Sequence, residues 1–363
     1  MDNVQSIPQK LSVGDTVALI NPAGPLPERF LKQEDYVIDY LHRLGLKVKN
    51  NIIHDNWRLP ENRANALLDA FCDESVQAIF PICGGEAVYE VLPALDYAEI
   101  AKHPKIICGY SYISALLMAI SEKSNMITFH APHLNFLNDK SSKREVKYNI
   151  VNFWNTISHI QHAFKSMSDY ERTFSVNPLS KDCSIPNIYA NAERLKQMRR
   201  DNQYVSLSQD ENVTGIVNIV SLEALVVLQK MGMARDFKEK LLFLDTLDSS
   251  FERIDANLSF LNKNSPLSDA AAVIFSSIYD RENPIPDAER RIRRFKFLNQ
   301  IQKKYEIRNL LFGFPFGHCI YKLTMPMGEK ATLSTKTGSI TLIQPAFVHN
   351  ANFFMPKTIS NVR

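Results

Sequence analysis

The chain has 363 residues, with 42 Lys and Arg against 39 Asp and Glu, for a formal net charge of +3. That length predicts two domains, each with its own core, and so small a charge excludes the broad basic field that nucleic acid or an anionic membrane would need. With 45% hydrophobic and 22% charged residues, a folded protein is expected, suited to small neutral or zwitterionic ligands. The five cysteines, Cys72, Cys83, Cys108, Cys183 and Cys319, are odd in number and widely spaced. They fit neither a disulfide framework nor a paired metal site, and predict a reducing compartment. The start, MDNVQSIPQKLSVGD, lacks the basic opening and apolar run of a signal peptide, and no stretch approaches a membrane span. The expected location is the cytoplasm, with no membrane partner.

In chain order, three apolar strands stand out: Thr16 to Asn21 before NPAGP, Val76 to Cys83 before Gly84 and Gly85, and Lys105 to Cys108 before Gly109, Tyr110 and Ser111. Between and after them run helical stripes at i, i+3, i+4, i+7: Val37, Tyr40, Leu41, Leu44; then Ala64, Leu67, Leu68, Phe71; then Ile113, Leu116, Leu117, Ile120. Strand and helix in alternation predict an N-terminal doubly wound α/β domain with a parallel sheet over 1–137. Ligands of such sheets bind past the carboxyl ends of the strands, where all three turns lie. A polar stretch, 138–205, reads as a linker with short helices. The remainder, 206–363, predicts a C-terminal mixed α/β domain. It holds apolar runs at GIVNIVSLEALVVL and LLFLD, a basic helix near Asp287 to Lys304, and a closing hairpin around the Thr-Gly of ATLSTKTGSITLIQPAFV.

Ser111 admits two readings. A serine at the first turn of a helix caps a free backbone N–H. A nucleophilic serine instead needs a base, a group to orient that base, and donors for an oxyanion. The turn supplies the N–H of Tyr112, and the glycine turn on the neighbouring strand supplies one from Gly84 or Gly85. The stretch is not GxSxG, because Ile113 stands where the second glycine would be. His318, on a turn flanked by Gly317 and Pro315, reads either as a loop histidine or as a base at a cleft. Asp245 closes the apolar run Leu241 to Leu244, as a cap for SSFERIDANL or as an acid; Asp248 follows. His130 with His133, and His159 with His162, lack the acidic partner of a zinc pattern and are expected as polar surface or core-edge residues. No metal or cofactor is called for. The basic runs Arg290 to Phe297 and Lys196 to Arg200 read as solvated helix faces, with no nucleic-acid partner.

Several segments are familiar as a set: an arginine-led helix with Arg63, the Gly84-Gly85 turn, Leu92-Pro93-Ala94-Leu95-Asp96-Tyr97, Pro104-Lys105, Gly109-Tyr110-Ser111, His130-Ala131-Pro132, and Gly317-His318 with Pro326 and Gly328. In order and spacing they resemble the LD-carboxypeptidase family of serine peptidases, and within it the microcin-immunity peptidases. The resemblance implies a Ser-acid-His triad split between the two domains, with the site at their interface. It places the nucleophile at Ser111, the base at His318 and the oxyanion donors at Gly84 and Tyr112. Where the family has glutamate, this chain has Asp245. It also implies a homodimer.

Three departures stand out. The family's GYSD is GYSY, so Tyr112 replaces an aspartate. A GGNL element reads Ile219-Val220-Ser221-Leu222, without its glycines. Asp245 is one methylene shorter than glutamate, so it orients the histidine only if the backbone lies roughly 1.5 Å nearer, about one bond. The expected function is hydrolysis of an amide next to a free carboxylate in a small peptide-like substrate, through an acyl-enzyme. An acyl or amide transferase with the same acyl-enzyme, and a binding protein without turnover, are the alternatives.

Overall fold

The computed structural model describes residues 5–25, 28–137, 144–160, 205–246, 250–276, 287–318, 322–336, 338–343 and 346–347. The first half runs β1 (Thr16–Ile20), α1 (Glu28–Arg43), β2 (Lys47–Asn50), α2 (Pro60–Cys72), β3 (Val76–Pro81), a short α3 (Val88–Val91), α4 (Tyr97–Lys102), β4 (Ile106–Gly109), α5 (Ile113–Ser124), β5 (Thr128–His130) and α6 (Arg144–Ile157). The second half runs β6 (Val205–Ser206), β7 (Asn212–Ser221), α7 (Leu222–Lys230), β8 (Lys240–Asp245), α8 (Phe251–Asn264), β9 (Ala272–Phe275), α9 (Asp287–Lys304), β10 (Leu310–Phe312), β11 (Met325–Met327), β12 (Lys330–Ser334) and β13 (Ile340–Leu342). The doubly wound sheet, the mixed second sheet, the basic helix and the closing hairpin all follow the sequence expectation.

Two sheets form, in the orders β11-β5-β4-β3-β1-β2 and β13-β12-β7-β8-β9-β10-β6. In the first, β2, β1, β3, β4 and β5 are mutually parallel. The strand order reverses between β1 and β3, and at such a switch point the loops part to leave a crevice at the carboxyl ends. In the second, β7 to β10 are parallel, and β12, β13 and β6 run antiparallel to their neighbours.

Helix α5 joins the two sheets. Its sequence, ISALLMAISEKS, is apolar around most of its circumference, and all of Ile113 to Ser121 is buried. A helix apolar on every side has to be covered on every side. The burial of Leu116 or Leu117, both at 0% exposure, contributes roughly 1.5–3 kcal/mol each.

Within the expected linker, residues 144–157 form one continuous helix. Val146, Ile150, Phe153, Trp154 and Ile157 recur at helical spacing and pack against the core, and Trp154 Nε1 donates to Tyr40 Oη at 2.6 Å. The rest of the expected linker, 138–143 and 161–204, with His162, Cys183 and Lys196 to Arg200, lies outside the described residues, as do Asp248 and Cys319.

Candidate active site

β4 ends at Gly109 and α5 starts at Ile113, so the chain reverses within three residues. The reversal is made by a positive φ of 58° at Ser111. A left-handed backbone at a residue with a Cβ costs roughly 1–2 kcal/mol and persists only where the surroundings impose it. The capping reading of Ser111 is thereby corrected: the N-cap position belongs to Tyr112, and no side chain caps that helix. The same geometry explains why a second glycine is not needed. Ile113 packs on the bare Cα of Gly109, where a Cβ would overlap its side chain. Gly84 is placed against the serine, since a Cβ there would lie 3.3 Å from Ser111 Cβ and 3.5 Å from its Oγ.

Asp245 and His318 stand together, the first at the end of a strand of the other sheet and the second on the turn after β10. Asp245 ends β8 and is 1% exposed. Its Oδ2 lies 2.5 Å from His318 Nδ1, and its Oδ1 accepts from the His318 backbone N–H at 3.2 Å and from Ser276 Oγ at 3.1 Å. A carboxylate only accepts, so the ring donates to it from Nδ1. The shorter acid reaches because the backbone comes close. Gly317 has a φ of 68°, and a Cβ on it would overlap the Asp245 carboxylate. Burial works to raise the Asp245 carboxyl, but the His318 hydrogen bonds and charge outweigh it, and the net direction is down.

Tyr110 brings the serine turn and this pair to one place. Its ring lies 5.1 Å from that of His318 and 4.6 Å from that of His133, with Lys322 Nζ 4.8 Å above it. A relay also crosses between the sheets: Ser221 N–H donates to Ser114 Oγ at 3.0 Å, and Ser114 Oγ donates to Ser111 O at 2.5 Å. Ser221 pairs with Asp245 in the β7–β8 register, so the Ser111 turn is held to the strand beside Asp245. Ile219 and Val220 are filled core positions at 0% exposure. The helix after β8 is capped by Ser250, which accepts from Arg253 N–H at 3.4 Å, so Asp245 is free of the capping role.

His130 and His133 correct the expectation of surface or core-edge residues, being 2% and 4% exposed. Burial, as the first cause, lowers each from 6.5 to about 3. The unfolded chain therefore takes up protons below about pH 6.5 that the folded chain refuses until about pH 3. Their contribution to stability is complete above pH 6.5 and falls as the pH drops toward 3, a loss of about 2 kcal/mol per histidine at pH 5. Urea melts at pH 7.5 and pH 5 check this; a midpoint unmoved between them contradicts it. Cys83 and Cys108 lie next to the two glycine turns, but burial pushes the first up to about 11 and the second well above the ordinary thiol range, so neither offers a thiolate. Among the described residues, Cys72, Glu99 and His103 form one group with metal-type ligand atoms within 4.8 Å of one another. It lies before the amino ends of β3 and β4, opposite the serine.

The sequence reading missed His133, Tyr110, Ser276, Ser114 and Glu86. Only Ser276 carried a legible signal, a hydroxyl just past the apolar strand AVIF beside the strand of Asp245.

A family model for the LD-carboxypeptidase N-terminal domain matches residues 17–131, and one for the LD-carboxypeptidase C-terminal domain matches 215–333. The chain belongs to the LD-carboxypeptidase family. Along its length it is 28% identical over 341 residues to a probable murein peptide carboxypeptidase of Bacillus subtilis, covering 90% of this chain and 91% of that one. It is 31% identical over 129 residues to the microcin C7 self-immunity protein MccF of Escherichia coli, covering 34% of this chain and 38% of that one. The solved structure of MccF in complex with glutamyl sulfamoyl guanosine has the same fold, with a TM-score of 0.72 at 18% identity over 94% of this chain and 100% of that one. Among the described residues, no helix is long and apolar enough to cross a membrane.

Proposed function

We propose that this LD-carboxypeptidase family member is a serine hydrolase that cleaves an amide bond next to a free carboxylate in a small peptide-like substrate. Ser111 Oγ attacks the carbonyl carbon while His318 Nε2 takes its proton, with Asp245 fixing the ring and stabilising the imidazolium. The N–H groups of Gly84 and Tyr112 receive the oxyanion. Collapse of the tetrahedral intermediate breaks the C–N bond, and the amine leaves with the proton from His318. Water, deprotonated by the same nitrogen, then attacks the acyl carbon; the C–Oγ bond breaks, the acid is released and Ser111 Oγ regains the proton from His318. The observation that supports this most is the hydrogen-bonded Asp245–His318 pair beside a serine on a left-handed turn.

Folded protein treated with a fluorophosphonate is expected to carry one adduct, which peptide mapping places on Ser111. No label there sinks the reading and favours a binding protein. Two substrate classes come from the relatives: murein peptides, and aminoacyl sulfamoyl nucleotides such as the aspartyl sulfamoyl adenosine bound by MccF.

A further inference from the structure

We propose that Glu86 and Tyr112 form a positioning pair that holds the two oxyanion donors at a fixed separation, an inference that rests on the reading of Ser111 as nucleophile. The donors belong to different turns, one after β3 and one after β4. The ladder between these strands pairs Ala78 with Ile106 and Ile79 with Ile107, and both donors lie well past its end. A second connection is therefore needed if the turns are to keep their spacing as charge develops on the oxyanion.

The structure supplies it through side chains. Tyr112 Oη donates to Glu86 Oε1 at 3.0 Å, and the Tyr112 ring meets that of Tyr89 edge-on with centroids 5.7 Å apart. Glu86 and Tyr89 both follow the glycine turn, so Tyr112 is gripped twice by the segment that begins at Gly84. That segment is itself anchored from behind. Arg63, 1% exposed, donates to Ala87 O at 2.7 Å and to Pro22 O at 2.8 Å, and meets Glu90 Oε2 at 2.5 Å. The Tyr112 phenol is suited to donating, because burial and the Glu86 bond push it up to about 12 and keep its proton on. The phenol is thus the link between the turns.

The rate of fluorophosphonate labelling at Ser111 tests the pair, since phosphonylation also places an oxygen between the donors. Tyr112→Phe is expected to lower the limiting labelling rate about 10-fold, with the half-saturating probe concentration changed less than about twofold. Glu86→Ala should do the same, and Tyr112→Phe/Glu86→Ala should be no slower than either single variant. Glu86→Gln keeps an acceptor and is expected to stay within about threefold of wild type. Glu86 is exposed, so its variants report on the pair even if Tyr112→Phe folds poorly. Equal rates for wild type, Tyr112→Phe and Glu86→Ala overturn the pair while leaving the role of Ser111 intact. Losses that simply multiply in the double variant overturn the coupling, and a wild type that takes no label overturns both readings.

Discussion

Ser111→Ala is expected to lower kcat/KM by about 10⁴-fold or more, because a serine hydrolase without its nucleophile keeps only the help of its binding and oxyanion groups. Ser111→Gly is expected to lose as much activity, yet to differ in stability. The φ of 58° at this position suits glycine and strains alanine, so the glycine variant should unfold about 1 kcal/mol later than the alanine variant. Turnover and urea melts on the two variants check both halves. Equal stability of Ala and Gly contradicts the strained turn, and residual turnover near wild type contradicts the nucleophile. Strain relieved by a variant that cannot react marks a residue held for chemistry.

Glu122→Ala is expected to destabilise the protein by about 3–5 kcal/mol, the usual cost of leaving one partner of a buried ion pair alone. Glu122 lies near the end of α5 and reaches across to the second sheet. Its carboxylate meets Lys240 Nζ and accepts from Arg235 N–H at 3.1 Å and Asn218 Nδ2 at 3.3 Å, and its carbonyl accepts from Arg235 Nη2 at 2.7 Å. The Glu122 and Lys240 side chains are each 8% exposed. Lys240 opens the strand that Asp245 closes, and α5 starts directly behind Ser111, so the contact fixes the separation of Ser111 and Asp245 from their far ends. Replacing both partners, Glu122→Leu with Lys240→Met, is expected to recover most of the loss, since nothing charged is then buried. A loss below about 1 kcal/mol in Glu122→Ala means that water screens the pair.

What the sequence revealed depended on how local the signal was. β1, β3 and β4 showed as apolar runs before turn residues because their side chains are buried on both faces. β2, KVKN, is an edge strand exposed at most positions, and β5 has only three residues, so neither has a period to read. Ser111, His318 and Asp245 became candidates through the joint spacing of many segments; singly, each had an ordinary structural explanation. The left-handed turn at Ser111 was hidden because serine, unlike glycine, does not announce such a backbone. Asp245 reaching His318 depends on how closely one glycine backbone approaches another strand, which no count of methylenes gives. The Glu86–Tyr112 bond joins residues that only the side-by-side packing of β3 and β4 brings together.

The course of the chain after His318 has a topological consequence. β11 pairs with β5 as the outermost strand of the first sheet, and directly afterwards β12 pairs with β7 in the second. The first sheet is therefore finished by residues that come almost 200 positions after β5, roughly the reach of a whole domain. A fragment that stops at the polar connection would present β5 as a bare edge, with a ready row of unpaired amides and carbonyls. Such a half is a candidate for aggregation in place of independent folding, and during synthesis the first sheet stays open until the last segment arrives. Closing that edge and delivering His318 are one event, so His318 comes to lie beside Tyr110 only when the second half has folded.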